Sequence, residues 1–124
     1  MSDKLALLIW SATPDRPDLV VTPLVHALAA RALDAAVEIH FAGPAVRWLV
    51  AGVAEQGFAT AAREKSIAAF FAELLAENVA FFACGMAQAA WVRDGETLMP
   101  QVRSAGATAF VARTLDPAWR TLVF

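Results

Sequence analysis

The only cysteine of the chain, Cys84, follows the apolar run Val79-Ala80-Phe81-Phe82-Ala83 and precedes Gly85. The run reads as a buried β-strand and Met86 to about Val92 as a helix, so the sulfur falls where the backbone turns from strand to helix. N–H groups at a helix start lack partners inside the helix, and the helix dipole is positive there. Both effects favour thiolate over thiol, and the thiolate is the nucleophilic form. Gly85 allows backbone to come close to a ligand or partner. The other reading of Cys84 is a small apolar side chain that ends a core strand.

Other chemistries find fewer residues. Ser11 and Thr13 resemble part of a flavin phosphate loop, but Pro14 and Asp15 stand where that loop wants glycine and donors. Neither G-x-G-x-x-G nor a Walker lysine motif is present, and a phospho-acceptor domain would want aspartate where Cys84 stands. His26 and His40 are isolated and read as surface residues. Asp34, Glu38, Glu73 and Glu77 read as solvated helix or edge positions, with no pair poised as acid and base. No metal or organic cofactor is expected.

The elements that must position Cys84 follow from pattern. Lys4 to Trp10 reads as a strand buried on both faces, followed by turn-forming residues to Asp18. Thr22-Pro23 reads as a helix start, with Leu24, Leu28 and Ala32 on one face as far as about Leu33. Val37, Ile39 and Phe41 alternate with Glu38 and His40, which predicts an edge strand with one wet face. Gly43-Pro44 opens a helix carrying Val46, Leu49, Val50 and Val53. Ser66 caps a helix whose Ile67, Phe70, Phe71, Leu74 and Leu75 share one stripe. After Asp94-Gly95, Leu98 to Ser104 reads as a short helix, Ala107 to Ala112 as a fourth strand and Thr121 to Phe124 as a last one.

Strands alternating with helices predict an α/β fold: a three-layer α/β/α sandwich around a mostly parallel sheet of about five strands, in one domain over residues 1–124. Sites in such sheets form at the carboxyl ends of the strands. That edge would gather Ser11, Thr13, Asp15 and Arg16, then Gly43, Cys84, and finally Arg113, Thr114 and Asp116. Trp10 would either wall a pocket over the sulfur or pack in the core. Trp48, Trp91 and Trp119 suit core or subunit contacts, and Arg113 suits a partner for an anionic sulfur species.

Composition sets outer bounds. Hydrophobic residues are 59% of 124, and 29 of them are alanines. Without the alanines the apolar share is about 35%, ordinary for a globular domain. Ten Lys and Arg against twelve Asp and Glu give a net charge of −2, without the basic cluster a nucleic-acid binder needs. The apolar run Leu5 to Trp10 is too short for a secretory signal core, and the uncharged stretch Asn78 to Val92 is too short to span a membrane. A cytoplasmic protein without membrane association is expected.

Taken together, the apolar first strand, the long first helix, the phenylalanine-paired helix and Val79 to Cys84 resemble the DsrE/DsrF-like family of small sulfur-transfer proteins, which includes TusD-type relay subunits. The resemblance continues through Ala87 and Arg93-Asp94-Gly95 to Asp116-Pro117-Ala118-Trp119-Arg120-Thr121-Leu122-Val123-Phe124. It departs at the basic-Gly element, which in TusD-type members follows the cysteine closely and here lies at Arg93 and Gly95 with Asp94 between. The resemblance implies a persulfide carried on Cys84, a homo-oligomer (trimer or hexamer), and proteins as sulfur donor and acceptor. Two other functions suit the same residues: a non-catalytic subunit or small-ligand binding module with Cys84 structural, and a thiol redox sensor, which would lack a second cysteine to resolve it.

Overall fold

The computed structural model describes residues 3–124. Its sheet has five strands, β1 (Lys4–Ile9), β2 (Ala36–Phe41), β3 (Ala80–Ala83), β4 (Arg103–Ser104) and β5 (Trp119–Val123), in the order β4-β3-β2-β1-β5. Every pairing is parallel. Helices α1 (Pro17–Ala32), α2 (Ile67–Ala76), α3 (Gly85–Trp91) and α4 (Ala107–Leu115) connect them, with 3₁₀ turns at Gly43–Leu49 and Ala54–Gln56. The expected α/β sandwich around a parallel sheet is therefore present. No helix among the described residues is long and apolar enough to cross a membrane.

Strand register sorts the side chains onto two faces, because successive residues point to opposite sides. Leu7, Ile39 and Phe81 are in register and buried, and Phe41 and Phe81 meet Phe71 of α2 at ring separations of 5.9 and 5.1 Å. That aromatic cluster makes one face the main core. The opposite face carries Glu38, His40, Phe82, Thr121 and Val123, and α4 covers it.

Ends of the helices deliver strands to the sheet. Ser66 Oγ accepts the Ala69 N–H at 3.1 Å, as its position before the stripe predicts. Both α1 and α2 stop on left-handed residues, Asp34 (φ 66°) and Asn78 (φ 63°), after which Ala35 N–H bonds Ala30 O and Val79 N–H bonds Leu74 O. This Schellman closure satisfies the last carbonyls and turns the chain straight into β2 and β3.

Five expectations need correction. Helix α1 begins at Pro17, not at Thr22-Pro23; Pro17 takes the first-turn place that suits proline, and Pro23 lies inside the helix, buried beside Val20, Leu24 and Ala27. Packing of that side outweighs the backbone bond proline cannot donate, while Ala32 is exposed. Strand β2 is interior, flanked by β1 and β3, so its Glu38 and His40 are buried instead of wet. The helix expected from Gly43 is a 3₁₀ turn ending at Leu49, and the one expected over Leu98 to Ser104 is a turn ending in the two-residue β4. Ala107 to Ala112 is helix α4, not a strand; helical spacing aims Phe110 and Arg113 together at β2.

Candidate functional site

Residue Cys84 sits where its sequence position implies, directly after β3 and at the N-cap of α3. Its N–H bonds Phe41 O at 3.0 Å and its carbonyl accepts the Gln88 N–H at 2.9 Å, so backbone fixes the Cα on both sides. Gln88 reinforces the turn by donating to Ala83 O and Ser104 Oγ at 3.2 and 3.1 Å. The thiol is free and half-buried, packed on one side against the core.

Its other side meets a partly open cavity of about 150 Å³ at the carboxyl edge of the sheet. Leu8 and His40 form part of the floor, Gly106 and Ala107 at the start of α4 stand over it, and Phe110 and Val111 close one flank. The lining is almost wholly apolar, with the sulfur and the imidazole as its chemical groups.

The imidazole is held tightly. His40 is 4% exposed, stacked on Phe82 at 4.9 Å and met edge-on by Phe110 at 5.3 Å. Its Nε2 lies 3.0 Å from Glu38 Oε1, and the same oxygen accepts from Arg113 Nε at 2.7 Å. Arg113 in turn covers the Trp119 ring at 4.1 Å. Burial pushes the Glu38 carboxyl up, but hydrogen bonds from Arg113 and His40, with their charges, outweigh it and hold the group below its ordinary range. Glu38 is therefore ionised at neutral pH and can only accept, which places the Nε2 proton on the histidine. Nδ1 of the ring is buried and has no partner among the described residues.

Several residues expected at this edge lie elsewhere. Arg113 stands within α4 and is engaged by Glu38, so its positive charge is turned to the sheet interior. Trp10 is half exposed and belongs neither to the cavity wall nor to the core. Trp48 is fully buried, its Nε1 donating to Ala12 O at 2.9 Å. Thr13 and Asp15 border a shallow surface depression with Arg47 and Trp91, away from Cys84. Of Glu38 and His40, both read as solvent-facing, His40 lines the cavity with Cys84 and Glu38 holds His40. The sequence signal goes only as far as two polar residues two apart sharing one face of a strand; the helix that covers that face comes from far along the chain.

The sequence and the fold agree with a specific group of proteins. The sequence model of the DsrE/DsrF-like family matches residues 4–124, and the chain belongs to that family, whose fold is related to sulfur relay. Among solved structures, the chain is similar to the ychN protein of E. coli, with 17% identity over the whole of both chains and a TM-score of 0.77. It is also similar to MTH1491 of Methanobacterium thermoautotrophicum, described as a protein of unknown function, with 18% identity, 99% of this chain and 100% of that one covered, and a TM-score of 0.67. At these identities the likeness is one of fold. No curated protein matches the chain.

Proposed function

We propose that the protein is a small sulfurtransferase or sulfur carrier that holds a persulfide on Cys84 and passes it to a protein partner. The observation that carries this reading is the half-buried Cys84 thiol at the outlet of β3, lining a partly open cavity in a chain of the DsrE/DsrF-like family. In the reaction the Cys84 thiolate attacks the outer sulfur of a donor persulfide, a new S–S bond forms and the donor leaves as a thiolate. The apolar wall suits the cargo, since a sulfur chain is poorly hydrated and a cavity of this size shields it from stray thiols. The chemistry needs no metal or organic cofactor.

The reading carries partners and a compartment with it. Donor and acceptor are proteins, and the cytoplasm is the setting, where a lone thiol stays reduced. The chain assembles as a homo-oligomer, a trimer or hexamer, as the family resemblance implies. Val111 and Leu115 of α4 and Val123 of β5 are exposed apolar residues that a second copy of the chain would cover.

The test is intact-mass analysis after incubation with a persulfide donor. Wild type gains the mass of one sulfur, removable by reductant, and Cys84→Ser gains none. Wild type that gains no sulfur while Cys84→Ala leaves association with another subunit intact would instead favour a non-catalytic subunit, a role to which the contact of Cys84 with the core lends support.

A further inference from the structure

Residue His40 has one nitrogen in use and one idle. Glu38 accepts a hydrogen bond from Nε2–H, so in the neutral ring Nδ1 is a bare acceptor, and it is buried without a partner among the described residues. An unsatisfied buried acceptor destabilises the fold, and an apolar side chain at this position would avoid that cost. The ring's two nitrogens point in nearly opposite in-plane directions. Nε2 points back along β2 to Glu38, two residues earlier, so Nδ1 lies on the ring edge away from Glu38, and the ring lines the same cavity as Cys84.

From this geometry we infer that His40 is the catalytic proton acceptor and donor for Cys84, with Glu38 and Arg113 as positioning residues. The inference rests on the sulfur-transfer reading and assigns the proton path that reading leaves open. Nδ1 takes the Cys84 thiol proton across the cavity that the two residues line. The imidazolium keeps its Nε2–H on the Glu38 carboxylate, which stabilises its charge. The freed sulfur electron pair attacks the outer sulfur of the donor R–S–SH; the Cys84 S–S bond forms as the donor S–S bond breaks. The pair left on R–S⁻ takes the proton back from Nδ1. The sum is R–S–SH plus Cys84–SH giving R–SH plus Cys84–S–SH, with no external oxidant or reductant.

The surroundings isolate this pair. Leu8 from β1, Phe82 from β3 and Phe110 from α4 face the ring and carry no charge. The ionisable groups that reach it are Glu38 from its own strand, Arg113 from α4 through Glu38, and Cys84. A pH profile of sulfur reactivity therefore reports on few groups.

The experiment measures the rate of Cys84 alkylation by iodoacetamide from about pH 6 to about pH 9, in wild type, His40→Gln and Glu38→Gln, each checked for a wild-type circular dichroism spectrum. Sulfur uptake from a persulfide donor is measured on the same samples by mass. Wild type shows two limbs, from the coupled thiol and imidazole. His40→Gln shows a single limb and reacts about tenfold more slowly at neutral pH. Glu38→Gln keeps two limbs with the lower one displaced. If His40→Gln does not fold, the displaced limb in Glu38→Gln is the deciding readout. An unchanged profile in whichever variant folds overturns the inference. Should wild type take up sulfur while His40→Gln has the wild-type profile, the proton role fails and sulfur transfer stands. Should the profiles shift as expected while wild type takes up no sulfur, the proton role stands and sulfur transfer fails.

Discussion

At the outlet of β3, Cys84 divides its surface between core and cavity, which explains why one residue suits both a packing and a reactive reading. Its place was legible because a five-residue apolar run ending in Cys-Gly admits one interpretation in an alternating α/β chain. His40 and Glu38 were not, because alternation along Ala36 to Phe41 is the same whether the polar face meets water or a covering helix. What decided between them was Arg113, 75 residues away from Glu38 in sequence. Local pattern cannot register such a partner. A second residue-scale consequence concerns Gly57. A Cβ there would stand 2.7 and 2.8 Å from the Trp48 ring and 3.1 Å from Ile67 Cγ1. The indole cannot yield, since it is fully buried and tied to Ala12. Gly57→Ala is expected to destabilise the fold by about 1–3 kcal/mol through overpacking, measured by denaturant unfolding; a variant as stable as wild type would show that the Trp48 pocket has slack.

Between elements, one connection is a polar clamp rather than a core contact. Arg47 of the 3₁₀ turn after β2 makes paired bonds of 2.8 and 2.9 Å to Glu96 and donates to Trp91 O at the end of α3, while Arg93 N–H bonds Glu96 at 2.7 Å. The Arg47 hydrogen bond, followed by that of the Arg93 backbone, lowers the Glu96 carboxyl from 4.5 to about 2. A carboxyl lowered by folding stabilises the fold above its unfolded value and ceases to as it protonates. Stability held by Glu96 is thus fully present above about pH 4.5 and lost as pH falls through about 2. Glu96→Gln is expected to lower stability at neutral pH and to flatten the acid limb over that window, read by thermal unfolding against pH; parallel acid limbs would contradict it. Element types were legible where periodicity was long, as in α2 with its Ser66 cap. They were not for Ala107 to Ala112, a short apolar run that fits strand and helix equally until Phe110 and Arg113 are seen to meet one strand.

For the molecule as a whole, the two faces of the sheet are unequal. One is buried beneath α1 and α2, whereas α4, nine residues long, covers the other and leaves Leu115 78% and Val123 59% exposed. A homo-oligomer that buries this side would account for the low charged fraction of 18% without any membrane role. Light scattering is expected to give a trimer or hexamer for wild type and a smaller species for Leu115→Glu, with secondary structure kept. An unaltered assembly would place the interface elsewhere. Sulfur on Cys84 is read out by the intact mass of native protein with and without reductant, after exposure to a persulfide donor. Wild type is expected to gain one sulfur that reductant removes and that Cys84→Ser never acquires; a wild-type mass unchanged by donor and reductant alike would overturn the assignment of Cys84 as a persulfide carrier.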